Sequence, residues 1–255
     1  MRILRLPELL GRYIPSDYSR QASSEYYVEW VFRNADNIRR VMDVGCGAGD
    51  SYDSFRRKNP NVEWVGLDVK ESPEVEARRR TDAVFVTFDG IHIPLESNSF
   101  DLIYCRQVLE HARYPLALLR EVQRVLKPGG YLVGSTSHLE PYHSYSFWNY
   151  TPYGFCCLIE DADLQPVEIR PGIDAITLVI RRGLGAPEFF GFWFTHESPL
   201  NLLITLIGKL MRKRHAWINA VKLLFCGHFC FLVKKKEDAT RLSCPSTTKT
   251  GLNPP

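Results

Sequence analysis

The feature that most constrains the fold is a short apolar run that ends in a glycine-rich loop, VMDVGCGAGD at positions 41–50. Three of the five residues at 45–49 are glycine, and an aspartate precedes the first glycine by two positions. Because glycine has no Cβ, such a backbone can turn tightly and lie against a ligand. A strand, a loop of this kind and a helix together place a crevice at the carboxyl end of a parallel sheet, where doubly wound folds bind ligands.

The rest of the chain continues the alternation of strands and helices. A helix is predicted over 23–40 and another over 152–163, where Thr151 is the cap and Pro152 the first residue. Residues 127–130, Lys-Pro-Gly-Gly, predict the turn between a helix and the fifth strand. The β-rich runs lie at 40–44, 62–68, 83–89, 100–105, 131–137, 166–170 and 228–236. This order predicts an α/β fold with a doubly wound, mostly parallel, seven-stranded sheet.

One domain is predicted over residues 25–236, with an α-helical insertion at about 172–226 before the last strand. Residues 1–24 are interpreted as an N-terminal lead-in that prolines interrupt, and residues 237–255 as a polar, disordered tail. The apolar stretch at 199–225 contains lysine and arginine, so it does not predict a transmembrane helix. A surface-lying helix that contacts a membrane is compatible with its basic flank.

The composition is that of an ordinary globular protein, with 45% hydrophobic and 24% charged residues. A net charge of +3 gives no reason to expect a nucleic-acid partner. The seven cysteines form no CxxC pair, which favours reduced thiols in the cytoplasm. Cys226, His228 and Cys230 resemble metal ligands, but no second ligand cluster accompanies them, and we expect no metal.

Acidic residues follow the strands at the predicted crevice. Asp50 ends the glycine loop where a pyrophosphate would lie, Asp43 adds negative charge, and the spacing is GxGxG rather than the GxGxxG of dinucleotide folds. A cationic ligand is therefore favoured over a doubly anionic one. Asp68 ends the second strand, 19 residues past Gly49, where an N-cap aspartate would also fit.

Taken in order, these motifs resemble class I S-adenosylmethionine-dependent methyltransferases, in particular the small single-domain group that includes ubiquinone and menaquinone biosynthesis methyltransferases. The stretches IPLESNSFDLIYCRQVLEHARYP and LREVQRVLKPGGYLV are similar to that family's fourth-strand and fifth-strand segments. The resemblance implies a Rossmann-like methyltransferase fold and S-adenosylmethionine as the cofactor. It implies that Asp68 binds the ribose, Asp89 the adenine amino group, and Arg106 and Gln107 the methionine end. The implied cofactor-binding set is Asp43, Gly45, Cys46, Gly47, Gly49, Asp68, Val69, Asp89, Gly90, Arg106 and Gln107.

Methyl transfer to oxygen or nitrogen can need a general base, for which histidine is suited. The sequence offers His143, His138 and His111 as catalytic candidates, and each could equally be an ordinary loop or helix histidine. The aromatic stretches 142–155 and 188–194 favour a flat, saccharide- or lipid-linked small-molecule acceptor, although a plain core would also use them. We expect transfer to oxygen rather than nitrogen or carbon. A non-catalytic S-adenosylmethionine-binding scaffold and an NAD-dependent oxidoreductase are the alternatives, and the oligomeric state stays open.

Overall fold

The computed structural model describes residues 6–35 and 37–237, with side chains from residue 8 onward. The tail predicted at 237–255 therefore lies outside the described residues except for Glu237. Seven strands form a single sheet. They are β1 (Arg40–Val44), β2 (Glu63–Val69), β3 (Val84–Phe88), β4 (Phe100–Arg106), β5 (Leu126–Ser137), β6 (Leu164–Pro171) and β7 (His228–Lys235). The strand order is β3-β2-β1-β4-β5-β7-β6, and only β7 runs antiparallel to its neighbours. The predicted fold class is confirmed.

Helices cover both faces of the sheet. They are α1 (Leu6–Leu10), α2 (Ser24–Asn34), α3 (Ser51–Lys58), α4 (Pro73–Glu76), α5 (Pro115–Val125), α6 (Pro152–Asp161), α7 (Ala175–Gly183), α8 (Phe192–Thr195), α9 (Pro199–Leu210) and α10 (His215–Phe225). Single 3₁₀ turns lie at Leu109–His111 and Glu188–Gly191. Alternate residues of the strands point to opposite faces, so Met42 joins one buried apolar cluster and Val41 the other. None of these helices is long and apolar enough to span a membrane within the part of the chain that the structure describes.

Two local predictions were wrong in their bounds. The helix predicted over 23–40 ends at Asn34, and β1 begins at Arg40. The Lys127–Gly130 segment is not a separate turn but lies inside β5, where the register against β4 shifts between Phe100 and Leu102. A β-bulge absorbs the additional residues, and Gly129 takes a φ of +78° there.

The N-terminal segment packs against the helices between β6 and β7. Lys222 on α10 is fully buried, donates to the carbonyl oxygen of Ser19 at 2.5 Å and pairs with Glu197. Asn219 donates to the carbonyl oxygens of Pro15 and Tyr18. A buried charge is retained only where a partner compensates its lost hydration. These contacts therefore fix the N-terminal segment to the helical insertion.

A second buried cation fixes the same segment to the sheet. The Arg170 side chain, on β6, is 1% exposed and pairs with Asp17 at 2.8 Å and Glu168 at 2.6 Å. Its guanidinium lies over the rings of Tyr18 and Tyr26, at 4.1 and 4.9 Å from their centroids. The N-terminal segment, β6 and the insertion consequently form one wall next to the carboxyl end of β5.

Candidate active site

The glycine loop after β1 has a backbone that side chains would obstruct. Gly45 and Gly49 adopt φ values of +68° and +87°, which residues with a Cβ rarely take. A Cβ at Gly45 would approach Cγ2 of Val108 to 2.4 Å. The amide of Gly45 donates to the carbonyl oxygen of Leu67 at 2.7 Å, which fastens the loop to the end of β2. The loop therefore presents bare backbone at the edge of the sheet.

The Asp68 carboxylate lies at the end of β2 and is partly exposed. Its oxygens accept from the amide of Gly47 at 2.6 Å and from that of Val69 at 2.8 Å. Each carboxylate oxygen can accept more than one bond, so both keep acceptor capacity for a diol. Asp68, Gly47 and Val69 are thus brought together as the sequence predicted.

Asp43 lies beneath the loop rather than along its surface, since it is only 5% exposed. Its carboxylate accepts from Oγ of Ser51 at 2.5 Å, and Nε1 of Trp64 donates to the same hydroxyl at 3.0 Å. Burial raises the pKa of Asp43 to about 7, while Ser51 and Arg106 act in the opposite direction. Through Ser51, Asp43 therefore supports the start of α3.

Arg78 was not predicted as a site residue, because it is the first of three successive arginines at 78–80 and such runs are usually solvated. Its guanidinium donates to the carbonyl oxygen of Gly47 at 2.7 and 2.9 Å and covers the ring of Phe85 at 3.8 Å. No spacing along the chain pointed to this contact.

Asp89 and Gly90 follow β3, where Asp89 accepts from the amides of Ile91 and His92 and pairs with the His92 ring at 2.7 Å. These bonds, led by that of His92, lower the pKa of Asp89 to about 2.

At the end of β4, Arg106 is exposed and Gln107 adopts a left-handed φ of +56°. Backbone strain of this kind is retained where the surroundings fix it, often at functional sites. In the orientation that its neighbours require, the Gln107 amide donates to Glu110 at 2.9 Å and Glu140 at 3.3 Å, and its oxygen accepts from Ser135. Gln107 therefore links two carboxylates at the edge of the sheet.

A cavity of about 370 Å³ opens beside Arg106 and Gln107. Its other walls come from distant parts of the chain: Ser24 and Glu25 at the start of α2, Phe194 from the insertion, and His228 at the start of β7. Cavities of this size accommodate small molecules. Phe194 lies 6.0 Å from the His228 ring, centroid to centroid.

His228 and its partner Glu140 were both missed as site residues. Nε2 of His228 lies 2.6 Å from Oε2 of Glu140, which also accepts from Oγ of Ser137 at 2.5 Å. Within the described residues, Nδ1 of His228 makes no hydrogen bond, and the ring contributes to the cavity wall. The pairing lowers the pKa of Glu140 against the opposing effect of burial. A histidine within a β-rich run offered no sequence signal for this role.

The three histidines that the sequence offered have other surroundings than His228. Nδ1 of His138 lies 2.9 Å from the carbonyl oxygen of Tyr150, and burial lowers the pKa of this histidine. The rings of His111 and His143 are in edge contact at 5.2 Å, and Nδ1 of His143 lies 3.6 Å from Oε1 of Glu140. Among the described residues, none of the three is part of the cavity wall.

Glu110, His111 and His143 offer three possible metal-ligand atoms within 4.8 Å of one another. The expectation of no metal rested on spacing along the chain, and that spacing did not reveal this group. Glu110 is fully buried, accepts from Oγ1 of Thr136 at 3.0 Å and lies 3.1 Å from Oγ of Ser137. Burial raises its pKa to about 7, so this carboxyl changes charge near neutral pH.

The geometry of the glycine loop and of Asp68 agrees with comparisons to known proteins. A family model described as "Methyltransferase domain" matches residues 42–134, which contain the loop, the strands β2 to β4 and parts of β1 and β5. The chain is 28% identical over 193 residues to the ubiquinone biosynthesis O-methyltransferase of Ralstonia nicotianae, covering 69% of this chain and 80% of that protein. Residues 42–134 thus match a methyltransferase domain, and together these comparisons support a class I S-adenosylmethionine-dependent methyltransferase.

Other relatives of this methyltransferase match over shorter regions. The ubiquinone biosynthesis O-methyltransferase of Acinetobacter baylyi is 30% identical over 129 residues, covering 47% of this chain and 53% of that protein. The chain spans about half the length of several curated relatives that it matches. Among solved structures, the cyclase SpnF has a TM-score of 0.54 and 18% identity, covering 91% of this chain and 92% of that one. The 1,6-didemethyltoxoflavin-N1-methyltransferase of Burkholderia thailandensis has a TM-score of 0.52 and 15% identity, covering 85% and 80%. At these identities the structural likenesses show the fold alone.

The family identifies S-adenosylmethionine as the cofactor, as the sequence predicted, and not NAD. The residues present fit it, because the loop offers bare backbone that a Cβ would obstruct and Asp68 keeps acceptor capacity for a ribose.

Proposed function

We propose that this methyltransferase moves a methyl group to an oxygen of a small-molecule acceptor bound in the 370 Å³ cavity. The observation that carries the proposal is His228, which lines that cavity together with Arg106 and Gln107 and whose ring pairs with Glu140. The resemblance assigns Arg106 and Gln107 to the methionine end of the cofactor, so the acceptor would lie beside the reacting methyl group. The name of the Ralstonia relative, an O-methyltransferase, supports oxygen as the acceptor atom.

His228 has the arrangement of a general base. Glu140 accepts from Nε2, which fixes the tautomer that carries its proton there and leaves the lone pair of Nδ1 for the acceptor. When bound, S-adenosylmethionine would supply a methyl group on a positively charged sulfur, and its C–S bond would break as the acceptor oxygen bonds to the methyl carbon in line, leaving S-adenosylhomocysteine. His228 then takes the hydroxyl proton on Nδ1, and Glu140 stabilises the resulting imidazolium.

The walls indicate which acceptors the cavity suits. Phe194 offers an aromatic face, whereas Ser24, Glu25 and Thr195 offer hydrogen-bonding groups, which suits a hydroxylated ring or a saccharide. The lipid-linked form of such an acceptor is supported by the apolar surface of the same insertion, described below.

The proposal is tested with labelled S-adenosylmethionine and a panel of phenols, saccharides, amines and lipid-linked hydroxyl compounds. We expect S-adenosylhomocysteine to form with a hydroxylated acceptor and the product to carry the label on oxygen. A label on nitrogen or carbon would contradict the proposed acceptor atom. Tight binding of S-adenosylhomocysteine without turnover on any class would favour the non-catalytic scaffold instead.

A further inference from the structure

The insertion between β6 and β7 exposes apolar side chains on the outward faces of two helices that contact each other, α7 and α9. On α9 these residues recur at helical spacing, and Leu206 is 56% and Leu210 75% exposed. We call the whole set the apolar face. It comprises Ile176, Val179, Ile180, Leu184, Leu202, Leu203, Leu206, Ile207 and Leu210. Exposed apolar patches of this extent mark interaction surfaces in soluble domains.

The core does not need the apolar face. The inner side of α9 is already packed, with Asn201, Ile204 and Gly208 buried. Gly208 lies so close to α10 that a Cβ there would approach Cγ1 of Ile218 to 2.6 Å. The inner side of α10 is buried as well, so within the stretch 199–225 the exposed apolar residues concentrate on α9. The structure thus moves the predicted membrane contact from the whole stretch to α9 and its neighbour α7.

Positive charge borders the apolar face. Lys209, Arg212, Lys213 and Arg214 are exposed at the end of α9 and just beyond it, and Arg182 is exposed at the end of α7. The chain contains no aspartate or glutamate between Glu197 and Glu237. Apolar side chains beside a basic cluster match the two layers of an anionic lipid surface, the acyl region and the phosphate headgroups.

We propose that the apolar face docks onto an anionic bilayer surface, with Lys209 and Arg212–Arg214 against the headgroups. A second copy of the chain fits the same surface less well. A twofold contact would bring the identical basic cluster of each copy to one interface without an acidic counterpart. The insertion also supplies Phe194 to the cavity wall, so docking would hold the cavity close to acceptors that reside in the membrane. The docking stands on its own observations, and only this last consequence rests on the proposed function.

The test is co-sedimentation of the full chain with two kinds of vesicle, phosphatidylcholine alone and phosphatidylcholine mixed with phosphatidylglycerol. We expect pelleting with the mixed vesicles and little with the neutral ones. Arg212→Gln/Lys213→Gln should weaken binding on the order of 30-fold, since each basic side chain near an anionic surface contributes about a fivefold factor. Leu206→Glu/Leu210→Glu should abolish pelleting, because it places two carboxylates where acyl chains would lie.

Two matched variants serve as controls. Val84→Glu puts a carboxylate at an equally exposed apolar position, 57% exposed on β3, and should pellet like the wild type. Arg57→Gln removes an exposed charge far from the insertion and should have the same outcome. Unchanged affinity for S-adenosylhomocysteine in every variant would show that the chain is folded. The proposal would be overturned if the wild type did not pellet, or if Leu206→Glu/Leu210→Glu pelleted equally. It would also be overturned if the wild type formed a dimer instead of binding vesicles and this double variant dissociated that dimer.

Discussion

The cofactor side and the acceptor side of this methyltransferase are built in different ways. On the cofactor side, the loops after β1, β2 and β3 lie in chain order at one edge of the sheet, and backbone amides hold the carboxylates of Asp68 and Asp89. The acceptor cavity is instead assembled from the N-terminal segment, the insertion, the end of β4 and the strands β5 and β7. Local chain geometry therefore determines the cofactor side of the site, and long-range packing determines the acceptor side.

The largest expected effect is on turnover. His228→Gln should lower kcat by about 100- to 10,000-fold, since it removes the proposed base. Its affinity for S-adenosylhomocysteine should stay unchanged, because His228 belongs to the acceptor side. Steady-state kinetics and calorimetry on the same preparation measure both quantities, with His215→Gln as the control outside the cavity. A variant that loses affinity as much as turnover would break the division between the two sides, and full turnover would exclude His228 as the base.

The next effect concerns the stability of the acceptor wall. Lys222→Met should lower the free energy of unfolding by about 3–5 kcal/mol, because it leaves the partly buried Glu197 without its cation. Urea unfolding measures the loss. The double variant Lys222→Met/Glu197→Gln should recover much of it, since no unpaired charge then remains. Equal stability of the wild type and the single variant would show that this ion pair does not hold the wall.

Each side also contains one carboxyl group whose pKa burial raises to about 7, Asp43 on the cofactor side and Glu110 on the acceptor side. The ordinary pKa values of these two groups are 3.8 and 4.5, so the unfolded chain releases their protons at a pH where the folded state still keeps them. Their contribution to stability is therefore complete below about pH 4 and is lost as the pH rises to 7.

For Glu110 alone this loss is on the order of 3 kcal/mol. Glu110→Gln should thus flatten the fall in stability between pH 5 and pH 8 in urea titrations and leave the part due to Asp43. Glu71→Gln, at an exposed position, is the control and should follow the wild type. Parallel curves for the wild type and Glu110→Gln would contradict a buried carboxyl that keeps its proton.

The smallest of the four effects tests the cofactor side. Asp68→Ala should weaken S-adenosylhomocysteine binding about 100-fold, as expected for two hydrogen bonds to a charged acceptor at about 1.5 kcal/mol each. Asp82→Ala, at an exposed acid outside the glycine loop, should bind normally. Calorimetry that found unchanged affinity in Asp68→Ala would remove the ribose assignment and with it the clearest feature of the cofactor side.

The sequence predicted the seven strands well, because each strand is a short apolar run bounded by turn residues, and β1 begins and ends where predicted. Its errors came where tertiary contacts prevail over local signals. The Lys-Pro-Gly-Gly segment became a bulge within β5, because pairing with β4 continues past it. His228 lay within an apolar run and was interpreted as part of a strand, which it is, but its ring also faces the cavity.

The sequence alone determined the sheet, the glycine loop and the carboxylate of Asp68, since these depend on backbone conformation and on residues at the ends of neighbouring strands. Only the tertiary structure decided which histidine meets the cavity, where Glu140 lies, and that α9 turns apolar side chains outward. Those features depend on distances between separate elements, such as 2.6 Å from His228 to Glu140, which lie more than 80 residues apart along the chain. Local propensity and spacing carry no information about such distances, because packing of the whole chain sets them.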